Sequence, residues 1–129
     1  MTTLKIGIMS YEDMKAYTTA IAKGEHKRKS GDPKIWFTSV ESFARVLSER
    51  NRELLSLIAE ARPDSLQELE ELSGRRVSNL SRTLKKMEQY GIVTLKRGKQ
   101  GRITPRFPYS GFQLSMPLPA AARESHASR

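Results

Sequence analysis

The spacing of apolar residues changes abruptly at Gly91. Before it, Val77, Leu80, Leu84 and Met87 recur every three or four positions, the pattern of a helix that buries one stripe. After it, "IVTLKR" and "RITPRF" flank a tip holding Gly98 and Gly101, which predicts a β-hairpin. A helix that runs through one glycine into a hairpin makes the chain α+β, mainly α. Pro105 cannot donate to a ladder, so its strand is expected at an edge or a bulge.

Upstream the same reading yields further elements. "LKIGIM" alternates and predicts a strand. Ser10 predicts an N-cap, with Glu12 and Asp13 in the first turn of a helix that Gly24 ends. A charged loop, "EHKRKSGDPK", leads to "IWF", read as a second short strand. Thr38 and Glu41 suggest a capping box, opening a helix with Val40, Phe43, Ala44 and Leu47 inward. A break is expected near residues 48–50, then a helix burying Leu54, Leu55 and Ile58 and ended by Arg62-Pro63. Ser65 and Glu68 form another capping box, before a short helix with Leu66, Leu69 and Leu72 inward and Gly74 at its end. "FQLSMPL" suggests a last strand, and residues 119–129 have little to bury. The expected organisation is an extension over residues 1–38 that serves dimerisation, a main domain over 39–118 and a flexible tail over 119–129.

The net charge of +9 favours an anionic partner, and its location narrows the choice. Residues 75–106 carry 10 basic groups and 1 acidic group, whereas residues 49–74 carry 3 and 7. The excess therefore sits on the helix and hairpin around Gly91. On a helical wheel, Ser78, Arg82, Lys85, Lys86 and Gln89 oppose the apolar stripe, with Asn79 and Thr83 at its margin. Arginine pairs with guanine, asparagine with adenine, and lysine and serine with phosphates or base edges. A polar helix face is most often simply solvated. The near absence of acids, the preceding short helix and the basic hairpin weigh against that outcome here.

This order resembles a winged helix-turn-helix of the MarR-like regulators. "Leu66…Leu69…Leu72-Ser73-Gly74" is similar to the supporting helix and turn, and "Val77-Ser78-Asn79-Leu80-Ser81-Arg82-Thr83-Leu84" to the recognition helix. "Met87-Glu88-Gln89-Tyr90-Gly91-Ile92-Val93" resembles the link to the wing, and "Lys96-Arg97-Gly98-Lys99-Gln100-Gly101-Arg102" the wing itself. The likeness covers residues of about 50–107, although the turn "Ser73-Gly74-Arg75-Arg76" is more basic than the common form. The N-terminal segment is similar to a group of small predicted regulators, some of which look like toxin-linked antitoxins. The resemblance implies a double-stranded-DNA-binding transcriptional regulator, a repressor by occlusion acting as a homodimer. Arg75, Arg76, Ser78, Asn79, Arg82, Thr83, Lys85, Lys86, Gln89, Lys96, Arg97, Lys99 and Arg102 are its expected DNA contacts.

Other chemistries find little support in the composition. There is no cysteine, which rules out disulfides and thiolate metal sites and fits a reducing cytoplasm. His26 and His126 lie in charged or tail segments, leaving no triad, metal cluster or cofactor site to expect. "GKQGR" lacks phosphate-loop spacing, Glu70-Glu71 reads as a solvated pair, and Trp36 between Ile35 and Phe37 reads as packing. No apolar run is long enough to span a bilayer, and the start lacks signal-peptide layout. An enzyme and a membrane protein are not expected. Two rivals to DNA regulation stay open: an antitoxin whose main task is to bind a toxin protein, and an RNA-binding protein.

Overall fold

The structure, a computed structural model, describes residues 2–25 and 31–118. His26, His126 and the expected tail lie outside the described residues. The described residues are α+β, with five α-helices, a three-stranded sheet and a separate two-stranded hairpin. Among the described residues no helix is long and apolar enough to cross a membrane.

The N-terminal strand β1 (Thr3–Ile8) leads through helix α1 (Tyr11–Ala22) to β2 (Ile35–Phe37). Ser10 caps α1, its Oγ accepting from the Asp13 N–H at 3.2 Å. β2 lies parallel to β1, with Ile6 opposite Ile35 and Ile8 opposite Phe37. On its other side β1 pairs in parallel with β5 (Gly111–Ser115), near the far end of the described chain. The central strand is thus β1. Both its sides are occupied within one chain, so β1 itself leaves no free edge for a partner chain. Leu4, Ile6 and Ile8 face the main core, being at most 5% exposed. On the other face the Trp36 ring lies directly over Gly7, in the space a Cβ would need. Tyr17 of α1 packs on that ring, with centroids 5.4 Å apart. Trp36 is therefore a packing residue, as its neighbours suggested.

Helix α2 (Val40–Val46) is capped by Ser39, whose Oγ accepts from the Ser42 N–H at 3.0 Å. The expected box from Thr38 is displaced by one residue, because Ser39 is the hydroxyl in extended geometry at the helix start. Its buried face also turns: Val46 and Leu47 go inward, Phe43 packs against them, and Val40 and Ala44 are exposed. Ser48 then caps α3 (Glu49–Ala61), and Arg62 ends it with φ of 48°. In α4 (Leu66–Ser73), Ser65 Oγ accepts from the Glu68 N–H at 3.1 Å. The Glu68 carboxylate returns to the Asp64 N–H at 3.0 Å, one residue earlier than in a reciprocal box. Leu66 and Leu69 are buried, but Leu72, in the last turn of α4 before Gly74, is 46% exposed.

Helix α5 (Val77–Tyr90) places Leu80, Leu84 and Met87 at 0% exposure in the core, with α4 as its helical neighbour. Each fully buried side chain of this kind contributes about 1.5–3 kcal/mol. Gly91, with φ of 87°, releases the chain into the hairpin of β3 (Thr94–Arg97) and β4 (Ile103–Arg106). Pro105 stands opposite Leu95 in this two-strand ladder, where each strand is an edge. Beyond β4 lies the 63–64 loop, held by side chains: Thr104 Oγ1 donates to Asp64 O and Arg106 Nη1 to Pro63 O, both at 2.7 Å. One continuous apolar cluster runs from β1 and β2 through α3, α4 and α5 to Leu95 and Phe107. The boundary drawn at residue 38 therefore parts no cores: the first strand and the last share a sheet.

Candidate nucleic-acid interface

The start of α5 receives help from another helix. Arg76, its N-cap residue, makes no side-chain cap bond. Instead Glu70 Oε2, on α4, accepts from the Val77 N–H at 3.1 Å. A carboxylate here satisfies an orphan donor and complements the helix dipole. With Gly74 left-handed at φ of 77°, this bond fixes how α5 leaves α4. Glu70 had read as a solvated acid, and no local pattern marks its partner seven residues away in a different helix.

Opposite the buried stripe, Ser78, Arg82, Lys85, Lys86 and Gln89 are all exposed; at its margin Asn79 is exposed and Thr83 half-buried, and the N-cap Arg76 is exposed too. No acid interrupts this face. The one acid of α5, Glu88, is turned toward the hairpin, where its carboxylate accepts from Arg97 Nη1 at 3.1 Å and Nη2 at 3.0 Å. The bond from Arg97 holds the Glu88 carboxyl below its ordinary value.

Arg75 is half-buried and threads between helices. Its Nη1 donates to Asn51 Oδ1 of α3 at 3.1 Å. Its Nη2 donates to Asn79 Oδ1 at 2.8 Å and Thr83 Oγ1 at 3.3 Å, and its Nε to the same Asn79 oxygen at 3.2 Å. Asn51 is itself anchored, its Nδ2 donating to Val46 O at 2.9 Å. Guanidinium has donors only, so it must meet the amide oxygens and leave the Asn79 NH₂ free to point elsewhere. Burial, and then the nearby charge of Arg50, lower the Arg75 pKa, but an arginine stays charged all the same. The sequence singled out Arg75, Asn79 and Thr83 separately; the fold ties them together and adds Asn51.

On the hairpin, Lys96, Lys99 and Arg102 are exposed around the glycine tip, which the Gly98 N–H closes onto Arg102 O at 2.8 Å. Arg97 is exposed too, but occupied by Glu88. On the opposite flank of α5 a cleft of about 220 Å³ opens toward α2, lined by Arg45, Arg82 and Lys86, with Ser42, Asn51, Thr83 and Tyr90 above the apolar Val46 and Met87. Arg45 was not among the expected contacts. The cationic surface therefore extends from α2 across α5 to the hairpin, a row of donors suited to phosphate and base-edge acceptors. Among the described residues no cluster of three His, Cys, Asp or Glu is placed to hold a metal ion.

Residues 46–114 match the model of a family described as HVO_A0114. That span runs from the end of α2 to the end of β5 and includes all of α5 and the hairpin. No curated protein and no solved structure matches the chain.

Proposed function

The chain belongs to the HVO_A0114 family, and we propose that it is a sequence-selective duplex-DNA-binding transcriptional regulator of the winged helix-turn-helix type. The observation that carries this reading is the acid-free donor face of α5, exposed along its length and flanked by cations on both sides. In this arrangement α4 supports, α5 enters the major groove, and the β3–β4 hairpin lies on the neighbouring backbone as a wing. Asn79 and Arg82, in the first half of α5, reach base edges. Lys86 and Arg45 on one side, with Lys96, Lys99 and Arg102 on the other, neutralise phosphates. Bound in a promoter, such a protein represses by occlusion.

The test is a selection of bound genomic fragments, followed by anisotropy titrations of the best fragment over a range of salt. The reading expects a preferred duplex site and an affinity that falls steeply with salt. Equal affinity for all duplexes, or tighter binding to single-stranded RNA, overturns it. Stoichiometric capture of a toxin without DNA affinity does the same in favour of the antitoxin rival.

A further inference from the structure

We propose that the open edge of β5 is the docking surface for a second copy of this chain, joining two three-stranded sheets across a twofold axis. With β1 hydrogen-bonded on both sides, the sheet presents β2 and β5 as its edges. β2 is three residues long and follows directly on Pro33 and Lys34. Prolines and lysines are the usual protection of an edge. β5, "GFQLS", is longer and holds neither a charge nor a proline.

The side chains on β5 are also left uncovered. Phe112 stands in register beside Leu4, and Leu114 beside Ile6. Neighbours in a parallel ladder point to the same face, so both belong to the face that packs the core. Yet Ile6 is fully buried and Leu114 is 46% exposed, with Met116 and Leu118 beyond it at 58% and 61%. The core face runs out to the edge and stops there. Alongside lies a groove of about 360 Å³ between α3 and β5, lined by Leu55, Ala59, Phe107, Tyr109 and Phe112 among others.

Such an edge needs a strand that brings both backbone partners and large apolar side chains. β5 itself meets that need. Two copies run antiparallel about a twofold axis near Leu114, so that this residue meets its own counterpart. Met116 of each then turns toward Phe112 and the groove of the other. An interface of this kind is isologous and closes as a dimer. The rim carries one cation, Arg52, and one anion, Glu60, so like charge does not oppose the approach. The chain after Leu118 is a poorer occupant. "PAAARESHASR" contains no leucine, isoleucine, valine, methionine or aromatic residue, and Pro117 and Pro119 lack an N–H.

The experiment is the mass of the full-length protein in solution across micromolar concentrations, without DNA, so that it is decided independently of the DNA-binding reading. The proposal expects twice the chain mass of 14.6 kDa. Leu114→Lys is expected to halve that mass with unchanged circular dichroism. Because the chain has no cysteine, Leu114→Cys gives a clean reporter that cross-links two copies on mild oxidation. Tyr11→Cys, at 71% exposure on α1, stays uncrosslinked. Should Leu114→Lys fail to fold, the Leu114→Cys cross-link decides. A monomeric wild type overturns the proposal, as does a dimer in which Leu114→Cys does not cross-link. So does a monomer that dimerises only when residues 119–129 are removed, or one that forms a Leu114-dependent complex solely with a different protein.

Discussion

Arg75 Nη2 lies 2.8 Å from Asn79 Oδ1, and Arg75 Nε reaches the same oxygen. Bidentate reading of adenine needs that oxygen to accept from the base's N6. With the oxygen engaged, Asn79 offers only N–H donors. The expected preference opposite Asn79 is therefore an acceptor-rich edge such as guanine. Arg75→Ala frees the amide and is expected to shift preference toward adenine by about 1–3 kcal/mol. Competition titrations on sites varied at that base pair measure the shift; an adenine preference already present in the wild type contradicts it.

Arg82 lies exposed on the donor face, one turn from Ser78. Arg82→Ala is expected to cost about 1–3 kcal/mol on the preferred site and to flatten selectivity there. Equal losses on preferred and random duplexes place Arg82 with the phosphate contacts instead.

Sequence alone placed Arg97 with Lys96, Lys99 and Arg102 on the hairpin as equivalent phosphate contacts. The bidentate pair with Glu88 separates it from them. Lys99→Ala is expected to lower the log–log salt slope of DNA binding by about 0.9, while Arg97→Ala leaves it unchanged. Matched salt titrations of the two variants distinguish these cases.

The same pair gives a pH dependence whose sign follows from the lowered Glu88 carboxyl. That lowering comes first from the Arg97 hydrogen bond. The folded state then binds fewer protons than the unfolded chain as pH falls through the ordinary value of 4.5. The pair's contribution is full at neutral pH and is lost as pH falls toward the lowered value. Both side chains remain open to solvent, at 55% and 32% exposure, which keeps the effect small. Glu88→Gln is expected to lower Tm slightly at neutral pH and to leave it unchanged in strong acid, so that the acid limb of a Tm-against-pH profile is flatter.

Gly7 is needed for the space above it as much as for its backbone. A methyl group there falls on the Trp36 ring. Gly7→Ala is expected to destabilise the fold by about 1–3 kcal/mol in urea unfolding. Combining it with Trp36→Ala is expected to cost less than the sum of the two changes, because the clash disappears.

What could be read from the sequence follows the range of each interaction. Ser65, Gly74 and Gly91 declare themselves because a cap or a left-handed turn depends on its immediate neighbours. The stripe of Leu80, Leu84 and Met87 is legible for the same reason. Ser39 was missed beside Thr38 because adjacent hydroxyls look alike until backbone geometry selects one. The Glu70 cap, the Asn51–Arg75–Asn79 chain and the β1–β5 pairing join residues far apart, and periodicity carries no trace of such partners. Among the inward positions expected on the short helices α2 and α4, Phe43, Leu47, Leu66 and Leu69 do pack inward, whereas Ala44 is exposed and so are Val40 and Leu72, which sit at helix ends where packing neighbours decide.

The placement of β1 between β2 and β5 also sets an order of events during synthesis. Thr2 Oγ1 donates to the carbonyl of Pro108, 106 positions away. β1 leaves the ribosome well before β5 and must therefore wait, with one side unpaired, until nearly all the described chain has followed it. Helices α3, α4 and α5, whose contacts are local, have time to assemble before then. Closure of the sheet is a late step, and nascent chains halted before Gly111 carry a bare β1 edge with apolar Leu4, Ile6 and Ile8 beside it.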